Sequence, residues 1–387
     1  MTRARVGLNV HVHPTSFEFS TRVLKVTKAL SEGGVVDRTI VIATQKPGLP
    51  ERETFAPSRE VWRIGPPFRG GGSRAKALWF LTWSAQVFRQ LRRESIGMVN
   101  CHTLSALPIC VALAAWHRAI LVYEPHELET ETITSRGVRR RLSKVLEGVL
   151  VRRAARVIVV SDSIARAYEH DYGLRDVTAI LNAPELDTPA HDGPNPVFRD
   201  EFGIPSDHLI FMYQGDLSAE RGIPLLLEAF ANVPESRHLL LMGFGPLADD
   251  VKAAAAARAN IHFRPAVHPS EVLQFTRGAD VGFALLTDDC INHRFALPNK
   301  FFHYLHAGIP VVASDLPEMR AIVERYACGW NLPGTAAAVA ELVARIDRGA
   351  IEARRPGVLR ARAELNWGRE SARLLAVYDS LLAPAGG

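Results

Sequence analysis

Apolar and polar positions along the chain alternate between two periods. Short β-branched runs at residues 5–10, 37–43, 98–101, 120–123, 157–160 and 177–181 read as buried strands. Longer stretches at 22–31, 74–93 and 138–152 read as helices. The pattern stops between 182 and 205, where Pro, Asp, Gly and Asn crowd together as in a linker. It restarts with strands at 209–213, 238–242, 261–263, 281–285 and 310–313, and helices near 224–232, 247–259 and 300–307. Such alternation predicts parallel sheets with helices on both faces. The expected fold class is α/β: two doubly wound, Rossmann-like domains facing across a cleft. Ligands of such sheets bind beyond the carboxyl ends of the strands, so the cleft is the expected site.

Composition adds bounds. The chain has 387 residues, 47% of them hydrophobic and 22% charged, enough to bury real cores without metals or disulfides. Cys101, Cys110, Cys290 and Cys328 show no CxxC spacing, which excludes a zinc ribbon and fits a reducing cytosol. The apolar run at 104–116 is too short for a bilayer, which needs about 20 residues. No signal-peptide pattern opens the sequence. The expected location is therefore cytoplasmic, or peripheral at the inner face of a membrane. The net charge of +5 is small but unevenly spread. Residues 136–156 hold eight Lys and Arg against Glu147, leaving the rest of the chain at −2.

Three segments carry candidate chemistry. Tyr213-Gln-Gly-Asp-Leu-Ser-Ala-Glu-Arg-Gly222 follows a strand and precedes a helix. Gly215 and Gly222 let backbone approach a ligand, and Arg221 offers a planar fork suited to phosphate. Leu241-Met-Gly-Phe-Gly-Pro246 lacks the third glycine and the acidic partner of a dinucleotide fingerprint, so it reads as a glycine turn beside another ligand. In Leu297-Pro-Asn-Lys300, Pro298 suits a first helical turn, and Asn299 and Lys300 present N–H groups there, an anion site reinforced by the lysine. His303 lies three residues after Lys300, on the same helix face.

Together these residues resemble the retaining, GT-B-fold glycosyltransferases of family 4, in particular a bacterial branch with an Asn-His-Arg…Leu-Pro-Asn-Lys-x-Phe-Glu-Tyr…Gly-x-Pro-Val-Val segment. The likeness spans nearly the whole chain. It includes Arg221-Gly222, the Gly243-Phe-Gly-Pro246 turn, Tyr123-Glu-Pro-His-Glu127, Arg153–Ser161, Ile180–Pro184 and Asn366-Trp367. The resemblance implies an N-terminal acceptor-side domain at 1–190, a donor domain at 191–365, and a final helix at 366–385 that packs back on the first domain. It implies a nucleotide-diphosphate sugar as donor, UDP foremost, with GDP or another nucleotide as the alternative, and a small-molecule, saccharide or lipid-linked acceptor. Its catalytic residues here are His126, Arg221 and Lys300. Its donor-binding residues are Gly215, Asp216, Arg221, Gly243, Gly245, Val267, Leu297, Pro298, Asn299, Lys300 and His303. His13, His102 and Glu127 fall on the acceptor side. No cofactor or metal is expected, since no Asp-x-Asp follows a strand.

The chain departs from that pattern at four places. His303 stands where the family has a ribose-gripping Glu, and Phe295 where many members have another Glu. Asp216 replaces an Arg, and His11–Ser16 replaces a glycine pair. These departures keep two rivals open: a non-catalytic sugar-nucleotide-binding homologue or partner subunit, and a sugar-nucleotide epimerase using Glu127, Glu129 and Glu131. Nucleic-acid binding has no motif to support it.

Other features have plain readings. His11 and His13 are read as pointing to opposite faces of a strand end, which disfavours a metal pair. His102 is either a substrate contact or a hydrogen-bonded core histidine. The helix bearing Trp79, Phe80 and Trp83 is either core or membrane-interfacial. For 136–156, one reading packs the Leu142, Val145, Leu146 and Val149 stripe on the sheet. The other makes a basic patch for an anionic acceptor or lipid surface, with peripheral membrane contact.

Overall fold

The computed structural model describes residues 5–18, 20–68, 70–186 and 195–383. It divides into two compact units, Met1–Leu181 with Glu370–Gly387, and Asn182–Arg369. The 190/191 boundary and part of the 182–205 linker lie outside the described residues.

The first unit holds an eight-stranded sheet in the order β3-β4-β2-β1-β5-β6-β7-β8. Its strands are β1 (Val6–Val12), β2 (Val36–Thr44), β3 (Arg52–Ala56), β4 (Arg59–Ile64), β5 (Met98–Cys101), β6 (Ile120–Tyr123), β7 (Arg156–Val159) and β8 (Thr178–Ala179). All neighbours are parallel except the β3–β4 hairpin at one edge. That hairpin was not visible in the pattern: β3 is largely exposed and reads Arg-Glu-Thr-Phe-Ala, as an edge strand is free to do. The inner strands are near-continuous apolar runs because both faces are covered. Strand order reverses between β1 and β5, so their carboxyl ends flank a topological switch point.

The second unit is a six-stranded parallel sheet, β11-β10-β9-β12-β13-β14. Its strands are β9 (Leu209–Asp216), β10 (Arg237–Phe244), β11 (Ile261–Pro265), β12 (Val281–Ala284), β13 (Val311–Ser314) and β14 (Gly329–Leu332). Here the switch point lies between β9 and β12. Tyr304 fills the space over Gly282, where a Cβ would come within 2.2 Å of its ring. Its hydroxyl accepts from the Gln214 N–H and donates to the Phe283 carbonyl, tying the Asn299–Ala307 helix to β9 and β12.

The final helix, Trp367–Leu382, starts in the second unit and continues in the first. Trp367 N–H bonds the Pro184 carbonyl, and three residues later Glu370 accepts from Leu181 N–H.

One helix packs opposite to expectation. In Gly137–Leu150 the stripe Leu142, Val145, Leu146 and Val149 faces solvent, and the fully buried residue is Glu147. Its carboxylate accepts from the hydroxyls of Tyr123, Tyr168 and Tyr172 at 2.8, 2.5 and 2.6 Å. The reading that packs the stripe on the sheet is thus overturned. Three convergent hydroxyls hold the charged face inward, because a buried carboxylate is stable only when its oxygens are satisfied. In Ser73–Leu91, by contrast, Trp83, Val87 and Leu91 are buried in the core.

Candidate functional site

In the second unit, the loop after β9 and the start of the Asn299–Ala307 helix build a cationic place. Pro298 caps that helix in extended conformation, and helix geometry leaves the N–H groups of Asn299 and Lys300 without intrahelical acceptors. Lys300 Nζ sits 3.6 Å from the centre of the Tyr213 ring. It would lie equally close to a Cβ added at Gly215, whose φ of +116° also calls for glycine. The ammonium is buried with no hydrogen-bond partner. Burial, with the Arg221 charge nearby, pushes its pKa well below the usual lysine range, against a smaller pull from Asp216. Arg221 closes a short helical turn just before Gly222, whose φ is +75°, and enters no ion pair among the described residues. Two basic side chains and two helix-terminal N–H groups therefore share a place whose positive charge exposed Asp216 offsets only in part.

His303 lies beside it. The Gln214 amide oxygen is 2.7 Å from Thr276 Oγ1, and its nitrogen donates to His303 Nδ1 at 3.1 Å. With Nδ1 accepting, the proton of the neutral ring lies on Nε2. Asp216 is exposed, and its carbonyl accepts from the Tyr213 hydroxyl. Gly243 and Gly245 are glycines for a reason inside the fold. A Cβ at Gly243 would meet the Gly215 carbonyl at 1.9 Å, and one at Gly245 would meet Leu217 N at 2.6 Å. This turn props the β9 loop. Leu297 is buried before the helix, Asn299 Oδ1 accepts from Asn182, and Val267 lies past the edge strand β11.

In the first unit, histidines gather at the switch point. His11 and His13 are two apart, and a pleat of period two returns them to one side, so the expected opposite facing is corrected. His11 Nδ1 is 2.8 Å from His102 Nε2, and His13 packs edge-on against the His102 ring. His102 Nδ1 is 3.1 Å from His126 Nε2. Asn9 Nδ2 faces His11 Nε2 at 3.0 Å, Asn100 Nδ2 donates to Asn9 Oδ1, and Tyr378 donates to Asn100 Oδ1. The amide direction sets every tautomer. His11 donates from Nδ1 to His102, and His102 donates from Nδ1 to His126. His126 is left protonated on Nδ1. Burial holds all four rings neutral, with His11 lowered to about 3 and His13 to about 4. His102 and His126 are also well below their ordinary value. With both nitrogens occupied and no exposure, His102 fits the hydrogen-bonded core reading of the two and orients His126.

His102, Glu124 and His126 also form a group compact enough for a metal ion. Glu124 is instead paired with Arg22 at 2.8 Å inside the core, and the histidines bond one another. Of the other carboxylates, Glu129 accepts from Leu104 N–H and is pushed up to about 7 by burial. Glu131 is held by Arg140 and Lys144 at 2.8 and 2.6 Å, and Glu127 is exposed. Asn9, Arg22, Asn100 and Tyr378 carried no sequence signal. Their partners lie 91 to 278 residues away, and only folding brings them together.

Residues 20–187 match the family described as Glycosyltransferase Family 4, and residues 208–348 match Glycosyl transferases group 1. No curated protein matches the sequence significantly. Among solved structures, the chain is similar to a sucrose-phosphate synthase from Thermosynechococcus elongatus. That likeness has a TM-score of 0.81 and 16% identity, over 97% of this chain and 99% of that one. It is similar to HepE from Anabaena, solved with UDP and glucose, at 0.71 and 16% over 96% and 99%. It is also similar to a glycosyltransferase from Rickettsia africae, at 0.70 and 13% over 98% and 99%. The fold they share is GT-B.

Proposed function

We propose that this chain, a GT-B-fold glycosyltransferase resembling family 4 and the group 1 enzymes, moves a sugar from a nucleoside-diphosphate donor to an acceptor hydroxyl. We infer transfer with retention of anomeric configuration and without a metal. The observation that carries the reading is the buried, unpartnered Lys300 ammonium beside Arg221 at a helix N-terminus. A diphosphate supplies the charge this place lacks.

As the anomeric bond breaks, negative charge grows on the leaving diphosphate. Fixed cations stabilise that charge more than they stabilise the ground state. The acceptor hydroxyl attacks on the face the diphosphate leaves, and its proton passes to a leaving phosphate oxygen. No protein carboxylate is then needed as nucleophile. His126 is assigned a contact with a hydroxyl of the transferred sugar through its Nδ1–H. His303 is assigned to the ribose side of the donor. UDP is the foremost donor nucleotide, in keeping with the UDP and glucose in the HepE complex.

A thermal-shift screen against UDP-, GDP-, TDP- and CDP-sugars tests the donor. One nucleotide series should raise the melting temperature, and Arg221→Ala and Lys300→Ala should abolish the shift and turnover. No stabilisation by any donor, with turnover unchanged in both variants, would sink the proposal. NMR of the product anomer tests retention, and turnover in chelator tests metal independence.

A further inference from the structure

The Gly137–Leu150 helix presents an unusual face. Val138, Leu142, Val145 and Val149 follow i, i+4, i+7, i+11 spacing, one ridge of the helix, and each is 62% to 72% exposed. Leu146 widens the ridge. At 3.6 residues per turn, Arg139 borders this ridge on one side and Arg141 on the other, each within about 100° of Leu142. Arg139 and Arg141 are exposed and enter no ion pair among the described residues. Arg140 and Lys144 point the other way and are committed to Glu131 and Asp171. Beside Val145 and Val149 runs an open groove of about 750 Å³ whose charged lining is Lys144, Arg152, Arg153 and Asp171.

We propose that this helix docks flat on an anionic lipid bilayer, its valine–leucine ridge entering the headgroup boundary and its flanking arginines meeting the lipid phosphates. The charge placement selects this occupant. A membrane-surface helix needs an apolar face, basic flanks and an anchored inner face. Here the inner face is fixed by Glu147 and three tyrosines, so the ridge is held outward and cannot rotate into the core. A second protein copy would have to place one basic rim against another, which the free arginines oppose. The inference concerns where the protein sits and does not depend on the transfer reaction proposed above.

Vesicle co-sedimentation of the full chain tests it, with phosphatidylcholine vesicles and vesicles of phosphatidylcholine plus phosphatidylglycerol. The chain should partition onto the anionic vesicles and far less onto the neutral ones. Arg139→Glu with Arg141→Glu should lower that partition at least about tenfold. Leu142→Asp with Val145→Asp should lower it comparably, with the melting temperature unchanged because both sites are exposed. Three results would overturn the inference. One is no binding to anionic vesicles. Another is binding that survives the Leu142 and Val145 changes. The last is a dimer in sedimentation velocity that those changes dissolve, which would give the face to a second copy.

Discussion

At the scale of single residues, Lys300 dominates. A buried ammonium without a partner is costly, and its depressed pKa expresses that cost. An anion repays it by restoring the charged form, so binding should take up a proton wherever free Lys300 is partly neutral. Calorimetry of UDP binding in buffers of different ionisation enthalpy should register that uptake, and it should vanish in Lys300→Ala. Lys300→Ala or Arg221→Ala should each weaken UDP by about 1.5–3 kcal/mol, roughly 10- to 150-fold, read by titration calorimetry. Unchanged affinity in both would remove the anion site. His303 illustrates a subtler residue effect. Gln214 occupies its Nδ1, which fixes the ring proton on Nε2.

At the scale of elements, two close approaches decide the local fold. The β10 turn touches the β9 loop so tightly that a methyl at Gly243 meets backbone, which cannot swing away as a side chain could. Gly243→Ala should cost about 1–3 kcal/mol and lower the melting temperature by several degrees in a thermal scan. Because the same turn props Gly215, donor affinity should fall with it. The Gly137–Leu150 helix depends on one polar contact set. Glu147→Ala strands three buried tyrosine hydroxyls and should destabilise by about 3–5 kcal/mol in denaturant unfolding. Glu147→Gln keeps an acceptor oxygen and should lose less. Equal stability of Glu147→Ala and wild type would refute the anchoring role. The apolar stripe on this helix was legible in the sequence, but its direction was not. Periodicity shows that one face differs from the other; it does not say which neighbour can satisfy a glutamate.

At the scale of the whole molecule, buried histidines set the acid limit. His11 is lowered to about 3, and His13 and His238 to about 4, each chiefly by burial. His238 lies in a second string, between His208 and His262 at 2.8 and 2.9 Å. An unfolded histidine titrates near 6.5, so between that value and about 4 the unfolded chain binds more protons than the folded one. The histidine contribution should therefore be constant above pH 6.5 and fall as pH drops toward 4. It should outweigh the opposite contribution of Glu129, whose carboxyl is raised to about 7 and loses stability as pH rises through that value. Melting temperatures across that range check it, and a flat profile would contradict the neutral state of buried His11, His13 and His238.

The sequence by itself determined the alternation of strands and helices apart from the β3–β4 hairpin, the two α/β units and the segment proposed to bind an anion. Each of these is written in local signals: apolar runs, glycines, a proline before a helix. Only the tertiary structure decided the histidine relay from Tyr378 through Asn100, Asn9, His11 and His102 to His126. Its members come from separate strand ends and the last helix, and no spacing encodes their meeting. It also decided which face of the Gly137–Leu150 helix turns inward. Burial is settled by which partners converge on a surface, and those partners are set by the packing of distant elements.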